Sequence, residues 1–231
     1  MSAKKVKVKV KKKKLKIKNM LITLIILLII ILTGIDLVRL PIKNIYINGN
    51  EILNDKTIIE LADLTDYPPF INTYFSNIRK KLLNNDYIKN VTIKRSLTRK
   101  IYIEVEEYKP ICIYKDKLVL SSTESIDNKY DINYVPYVIN DIGEVYDKFI
   151  TKFNKVDKDI LLKISHIEYK PNEIDKERFL LYMTDANYVY ITLSKIDKIN
   201  KYNSIVTKMD NKKGIIYLDS GDYVEIKDWL S

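Results

Sequence analysis

The chain has 231 residues, enough for one or two small domains. Its formal net charge is +10, but ten lysines and no acidic residue fall within residues 1–19, so the body beyond them is balanced. A balanced body argues against nucleic-acid binding. A single cysteine excludes an intramolecular disulfide, a single histidine offers no metal-ligand set, and five glycines leave no glycine-rich phosphate cradle.

Residues 1–19 read as a basic cytoplasmic tail, expected to stay disordered and either to lie against anionic lipid headgroups or to act as a topology signal alone. Met20–Ile35 carries no charge. As a helix it spans about 24 Å, short of a ~30 Å hydrocarbon core. Snorkelling by Lys18 and the apolar Leu37, Val38 and Leu40 close that gap, giving a transmembrane span of 20–40. Thr23 and Thr33 are expected to bond to carbonyls one turn back. A signal peptide has a shorter apolar core and a small-x-small cleavage site, which is missing near Thr33-Gly34-Ile35. The lysine excess holds the N-terminus in the cytoplasm and places everything after residue 40 outside.

The first external unit, 41–108, opens with a strand through Ile42, Ile45 and Ile47 and a turn at Asn48-Gly49-Asn50. Asn54 or Asp55 can cap a helix beginning near Lys56, and Tyr67-Pro68-Pro69-Phe70 breaks it. A second helix is predicted from about Asn72, with Phe75, Ile78, Leu82 and Leu83 on one face. Two strands follow. Val91 and Ile93 must share a face with Ile101, Ile103 and Val105, so a hairpin between them needs an odd loop or a bulge. A five-residue loop 96–100 pairs Ile93 with Ile103 and Thr92 with Glu104, and sets Lys94 opposite Tyr102. Two helices then cover one face of a three-stranded sheet.

The second unit, 109–231, starts with a bend at Pro110 and a hairpin of Ile111–Tyr114 and Leu118–Leu120 around Lys115-Asp116-Lys117. Ser121–Asn133 reads as loop and Val135–Ile139 as a short strand. A turn at Asp141-Ile142-Gly143 precedes a helical face of Val145, Phe149 and Phe153; a further helical turn from Asp157 or Asp159 carries Ile160, Leu161 and Ile164. Strands are expected at Ile167–Tyr169, Arg178–Met183 and Tyr188–Leu193, the last two joined by the loop Thr184–Asn187. Ser194 can cap a helix whose buried stripe is Ile196, Ile199, Tyr202, Ile205 and Met209, and Gly214 stops it. Ile215–Leu218 and Tyr223–Lys227 are the final strands, the second a candidate sheet edge open to strand addition.

Cys112, inside a strand-like run, reads as a buried inert thiol. His166 has no partner for a dyad or a metal site. The acidic pairs Glu106-Glu107 and Asp219/Asp222 imitate glycosidase carboxylates, but strand ends carry such acids for solubility. The residues therefore point to a protein that is not an enzyme and needs no cofactor or metal.

Taken in order, these features resemble the FtsQ/DivIB family of bacterial cell-division proteins. The strongest local match is Ile88–Pro110, a strand with a basic residue, a turn, and a strand ending in Glu-x-x-Pro at Glu107-Tyr108-Lys109-Pro110. Ile45–Asn50 matches the family's opening strand and turn, and Gly214–Asp219 its late segment. Leu97-Thr98 replaces the usual turn proline, and Ser121-Ser122-Thr123 stands where the family has a glycine. The resemblance implies an α+β fold: a transmembrane helix, a small POTRA domain over 41–108, and a larger mixed domain over 109–231 ending in an edge strand. It also implies a noncatalytic scaffold at the division septum. Its partners would be bitopic proteins of the FtsL and DivIC/FtsB kinds, and it would help regulate the septal peptidoglycan synthase. Carried over, the partner-binding residues are Tyr223, Val224, Glu225, Ile226 and Lys227, with Ile215, Ile216, Tyr217 and Leu218 beside them. A membrane-tethered wall hydrolase and a POTRA-containing secretion or chaperone component are the alternatives.

Overall fold

Inside hydrocarbon a backbone has to satisfy its own polar groups, and the apolar run does so as one helix. The computed structural model describes residues 17–210 and 212–227; the expected course of the tail over 1–16 lies outside them. Helix α1, Ile17–Arg39, begins earlier than the predicted span and buries none of its side chains against the rest of the protein. Thr23 Oγ1 donates to Asn19 O at 2.7 Å and Thr33 Oγ1 to Ile29 O at 2.9 Å, so neither hydroxyl needs an external partner.

The first unit runs β1 (Asn44–Asn48), α2 (Asp55–Leu61), α3 (Phe75–Leu83), β2 (Ile88–Ser96) and β3 (Lys100–Glu107). The Asn54 side chain caps α2 by accepting from Thr57 N. Helix α3 starts three residues later than predicted because Asn72 still belongs to the turns that follow Pro68-Pro69; Tyr74, the N-cap, makes no side-chain cap. The sheet order is β1-β3-β2, with β1 parallel and β2 antiparallel to the central β3. The β2–β3 register pairs Ile93 with Ile103, Thr92 with Glu104 and Lys94 with Tyr102. Pairing continues to Ser96 and Lys100, which shortens the connecting loop to 97–99 while keeping it odd. Ile58, Ile78 and Leu82 from the helices meet Val91, Ile101, Ile103 and Val105 from the sheet.

The second unit is a nine-stranded sheet with helices on one face. Its chain order is β4 (Pro110–Tyr114), β5 (Lys117–Leu120), β6 (Ser125–Asp127), β7 (Tyr137–Val138), α4 (Tyr146–Phe153), α5 (Lys158–Leu161), β8 (Ile164–Tyr169), β9 (Arg178–Met183) and β10 (Tyr188–Thr192). A 3-10 segment (Leu193–Lys201), α6 (Tyr202–Lys208), β11 (Gly214–Tyr217) and β12 (Tyr223–Ile226) complete it. The spatial order is β12-β11-β10-β9-β8-β7-β4-β5-β6.

Several local expectations are corrected. Ser121–Asn133 is not all loop, since Ser125–Asp127 adds strand β6 beside β5. The expected strand Val135–Ile139 shrinks to Tyr137–Val138. Ile164 belongs to β8, not to the preceding helix, because it pairs with Met183. Ser194 caps nothing: it lies inside the 3-10 segment, whose N-cap is Thr192. Gly214 opens β11, and α6 has already ended at Lys208.

The β4–β5 hairpin joins the two units. Cys112 and Val119 enter the helix-covered core with Phe149, Phe153 and Phe179. Ile113 and Leu118 point the other way, into the apolar cluster of the first unit. Both faces of the hairpin are therefore dry, which is why its sequence is almost uninterruptedly apolar. Burial pushes the Cys112 thiol far above its ordinary pKa, so it carries no thiolate at neutral pH.

Candidate partner-binding edge

The edge is built on Gly214. An added Cβ there would stand 2.3 Å from the carbonyl oxygen of Glu225, so only glycine lets β12 lie this close. Gly214 N donates to Asn187 Oδ1 at 2.9 Å, and Asn187 Nδ2 donates to Tyr202 Oη at 3.0 Å. Tyr202 Oη donates to Asp185 Oδ1 at 2.7 Å. This buried chain ties the β9–β10 loop and α6 to the start of β11. Burial, with the Asp185 hydrogen bond, pushes the Tyr202 hydroxyl far above its ordinary pKa and keeps it a donor.

Pairing runs Tyr217 to Tyr223, Ile216 to Val224, Ile215 to Glu225 and Gly214 to Ile226. Lys227 N donates to Lys213 O at 2.9 Å, extending the ladder. By antiparallel alternation, Tyr223, Glu225 and Lys227 exchange bonds with the β11 side, while Val224 and Ile226 turn their N–H and C=O outward. Among the described residues no strand meets those outward groups. Tyr223 is 51% exposed and Ile226 39% exposed, apolar side chains on an edge that proteins usually blunt with charge.

One side of the edge carries a ladder of rings. Tyr190 stacks on Tyr217 at 5.3 Å between centroids, and Tyr217 on Tyr223 at 4.6 Å. Arg178 closes its inner end, its guanidinium 3.8 Å from the Tyr190 centroid and its Nε 2.6 Å from Asp219 Oδ2. Burial alone would raise the Asp219 carboxyl, but the Arg178 bond and charge, with Ser220, hold it below the ordinary range. Lys195 Nζ donates to Asp219 O at 2.6 Å and Lys198 Nζ to Asp222 Oδ1 at 2.6 Å, fixing the β11–β12 turn. On the other side, Ile205, Ile216, Leu218 and Val224 line a groove of about 220 Å³ rimmed by Lys198 and Lys201.

All nine residues predicted for partner binding lie on or beside this edge. Leu218 and Ile216 are buried beneath it, and Tyr223, Glu225 and Ile226 are exposed. The sequence reading missed Arg178, Asn187, Tyr190, Gly214 and Asp219, which position it. Tyr190 falls in the strand expected at Tyr188–Leu193, but nothing in the sequence pairs it with Tyr217 or Arg178.

The acidic pairs are otherwise engaged. Glu107 accepts from the backbone N–H of Glu51, Ile52 and Leu53 at 2.9, 2.7 and 2.9 Å, and Lys89 binds Glu106 at 2.6 Å. Glu106 and Glu107 border a cleft of about 600 Å³ that Lys158 of the second unit also lines. Among the described residues no group of three His, Cys, Asp or Glu side chains is placed to hold a metal ion.

Fold and edge together define a class: a membrane-anchored protein in which the apolar helix is followed by a three-stranded α+β unit and a mixed sheet whose edge strand β12 is open among the described residues. Residues 40–108 match the POTRA domain of the FtsQ type. The chain is 30% identical over 193 residues to cell division protein DivIB of Bacillus subtilis (strain 168), covering 80% of this chain and 73% of that one. It is 26% identical over 190 residues to cell division protein DivIB of Geobacillus kaustophilus (strain HTA426), covering 78% and 73%. The solved major extracytoplasmic domain of DivIB from Geobacillus stearothermophilus aligns at TM-score 0.37 and 20% identity over 46% of this chain and 96% of that one, a likeness too slight to bear on the fold. The chain belongs to the DivIB/FtsQ family of cell-division proteins.

Proposed function

We propose that this protein is a noncatalytic scaffold of the division machinery that binds a bitopic partner by adding one of the partner's segments to β12. The observation carrying this reading is the open edge itself: outward backbone groups on Val224 and Ile226, with exposed Tyr223 and Ile226 beside them. Main-chain bonds would supply affinity, and alternate side chains would enter the groove beside Val224 or meet the tyrosine ladder. Partners of the FtsL and DivIC/FtsB kinds, and regulation of septal peptidoglycan synthesis, are what the family resemblance implies. In the same reading the N-terminus is cytoplasmic, the 41–108 unit helps direct the protein to the septum, and the 109–231 unit binds the partner.

The test is truncation after Gly221 followed by affinity measurement against the outer fragments of the bitopic partners. Loss of binding with a cooperative unfolding transition retained is the expected result. Unchanged affinity would sink the proposal. Release of peptidoglycan fragments by the purified protein would instead favour a tethered hydrolase.

A further inference from the structure

The exit from the membrane is not a free linker. Phe70 N donates to Leu40 O at 2.9 Å, Ile42 N to Pro68 O at 3.1 Å, and Lys43 N to Arg99 O at 2.8 Å. Arg99 also donates from its guanidinium to Pro41 O at 3.0 Å. Helix α1 ends at Arg39. Every residue from 40 to 43 is therefore pinned to one of two loops, 67–74 or 97–99, and both loops must lie where α1 leaves the bilayer.

Those loops carry apolar side chains that the fold does not bury. Tyr67 is 45% exposed, Ile71 51%, Tyr74 68% and Leu97 fully exposed. Leu97 sits at the tip of the β2–β3 turn, where a soluble hairpin would place a polar residue. Loops 67–74 and 97–99 carry no acidic residue, although Asp66 immediately precedes the first; Lys43, bonded to Arg99 O, and Lys100, paired with Asn44, lie beside them. Aromatic and aliphatic groups with lysines beside them match the headgroup layer of an anionic bilayer.

We propose that this end of the POTRA unit docks on the bilayer: Tyr67, Ile71, Tyr74 and Leu97 enter the interfacial layer and Lys43 and Lys100 meet anionic lipid headgroups. The occupant is lipid because α1 already fixes these loops at the membrane surface. Docking would set the height and orientation of the first unit, and through the shared β4–β5 hairpin those of the second.

The test uses the full chain reconstituted in vesicles of equal parts phosphatidylcholine and phosphatidylglycerol. An environment-sensitive fluorophore is attached at Leu97→Cys, at Ile71→Cys, or at Ile174→Cys as a control; Ile174 is almost fully exposed in the second unit, and the native thiol of Cys112 is buried. Lipids bearing a shallow spin label should quench the first two probes and leave the third unaffected. Replacing Lys43→Gln and Lys100→Gln should weaken docking about fivefold for each lysine removed. Two results would overturn the proposal. One is a Leu97 probe quenched no more than the Ile174 probe. The other is a Leu97 probe shielded from aqueous iodide yet untouched by labelled lipid, which would mean that protein covers this end.

Discussion

At Gly214 the contact a side chain would make is with backbone, so no rotamer change relieves it. Gly214→Ala must push β12 outward, at a cost of about 1–3 kcal/mol by the usual scale of overpacking. The expected readout is a lower melting temperature together with weaker partner binding. Glu107 shows the opposite economy, one carboxylate serving three N–H groups of residues 51–53. Glu107→Ala strands those donors and should destabilise the chain by about 1–3 kcal/mol, seen as a lower denaturant midpoint. Asp219 contributes a pH dependence. Its folded pKa lies below the ordinary 3.8, so its stabilisation is complete above that value and is lost as pH falls through the lower folded value. Thermal unfolding of Asp219→Asn should therefore lack part of the acid-induced loss of stability seen with the native residue.

Among the elements, β12 is distinguished by which of its amides are spare. Ile226→Pro removes an outward N–H and leaves the bonds to β11 intact, whereas Glu225→Pro breaks the ladder inside the sheet. The first variant should keep its melting temperature and lose about fivefold or more in partner affinity; the second should lose both. Affinity unaffected by Ile226→Pro would show that the partner does not use this edge. Alternation of apolar residues made the β2–β3 register legible in the sequence, because a one-residue slip would have turned Ile93 and Ile103 to water. The cap was legible to within one residue, as Asn54 or Asp55; Asn54 takes the role, its side chain reaching Thr57 N within one turn. Strand β6 was not legible, since three polar-flanked residues become a strand only when β5 lies alongside. The 3-10 segment Leu193–Lys201 kept its predicted buried residues Ile196 and Ile199 but not its predicted cap, because spacing reports the face and not the winding. At the edge, the residue types of β12 could be read, while Arg178 and Asn187 come from distant positions that only the fold assembles.

Over the whole molecule, one apolar hairpin couples the two units, with Ile113 and Leu118 facing one cluster and Cys112 and Val119 the other. On the proposed reading, a helix that leaves the membrane directly into this body would give β12 a defined position relative to the bilayer, as a platform for a second membrane-anchored chain requires. The most direct measurement is amide hydrogen exchange across residues 223–227, in the full-length protein, with and without the outer fragment of the bitopic partner. The account expects slower exchange at Val224 and Ile226, whose amides face outward, and little change at Tyr223 and Glu225, already bonded to β11. Protection confined to other surfaces, with Val224 and Ile226 exchanging as before, would contradict it.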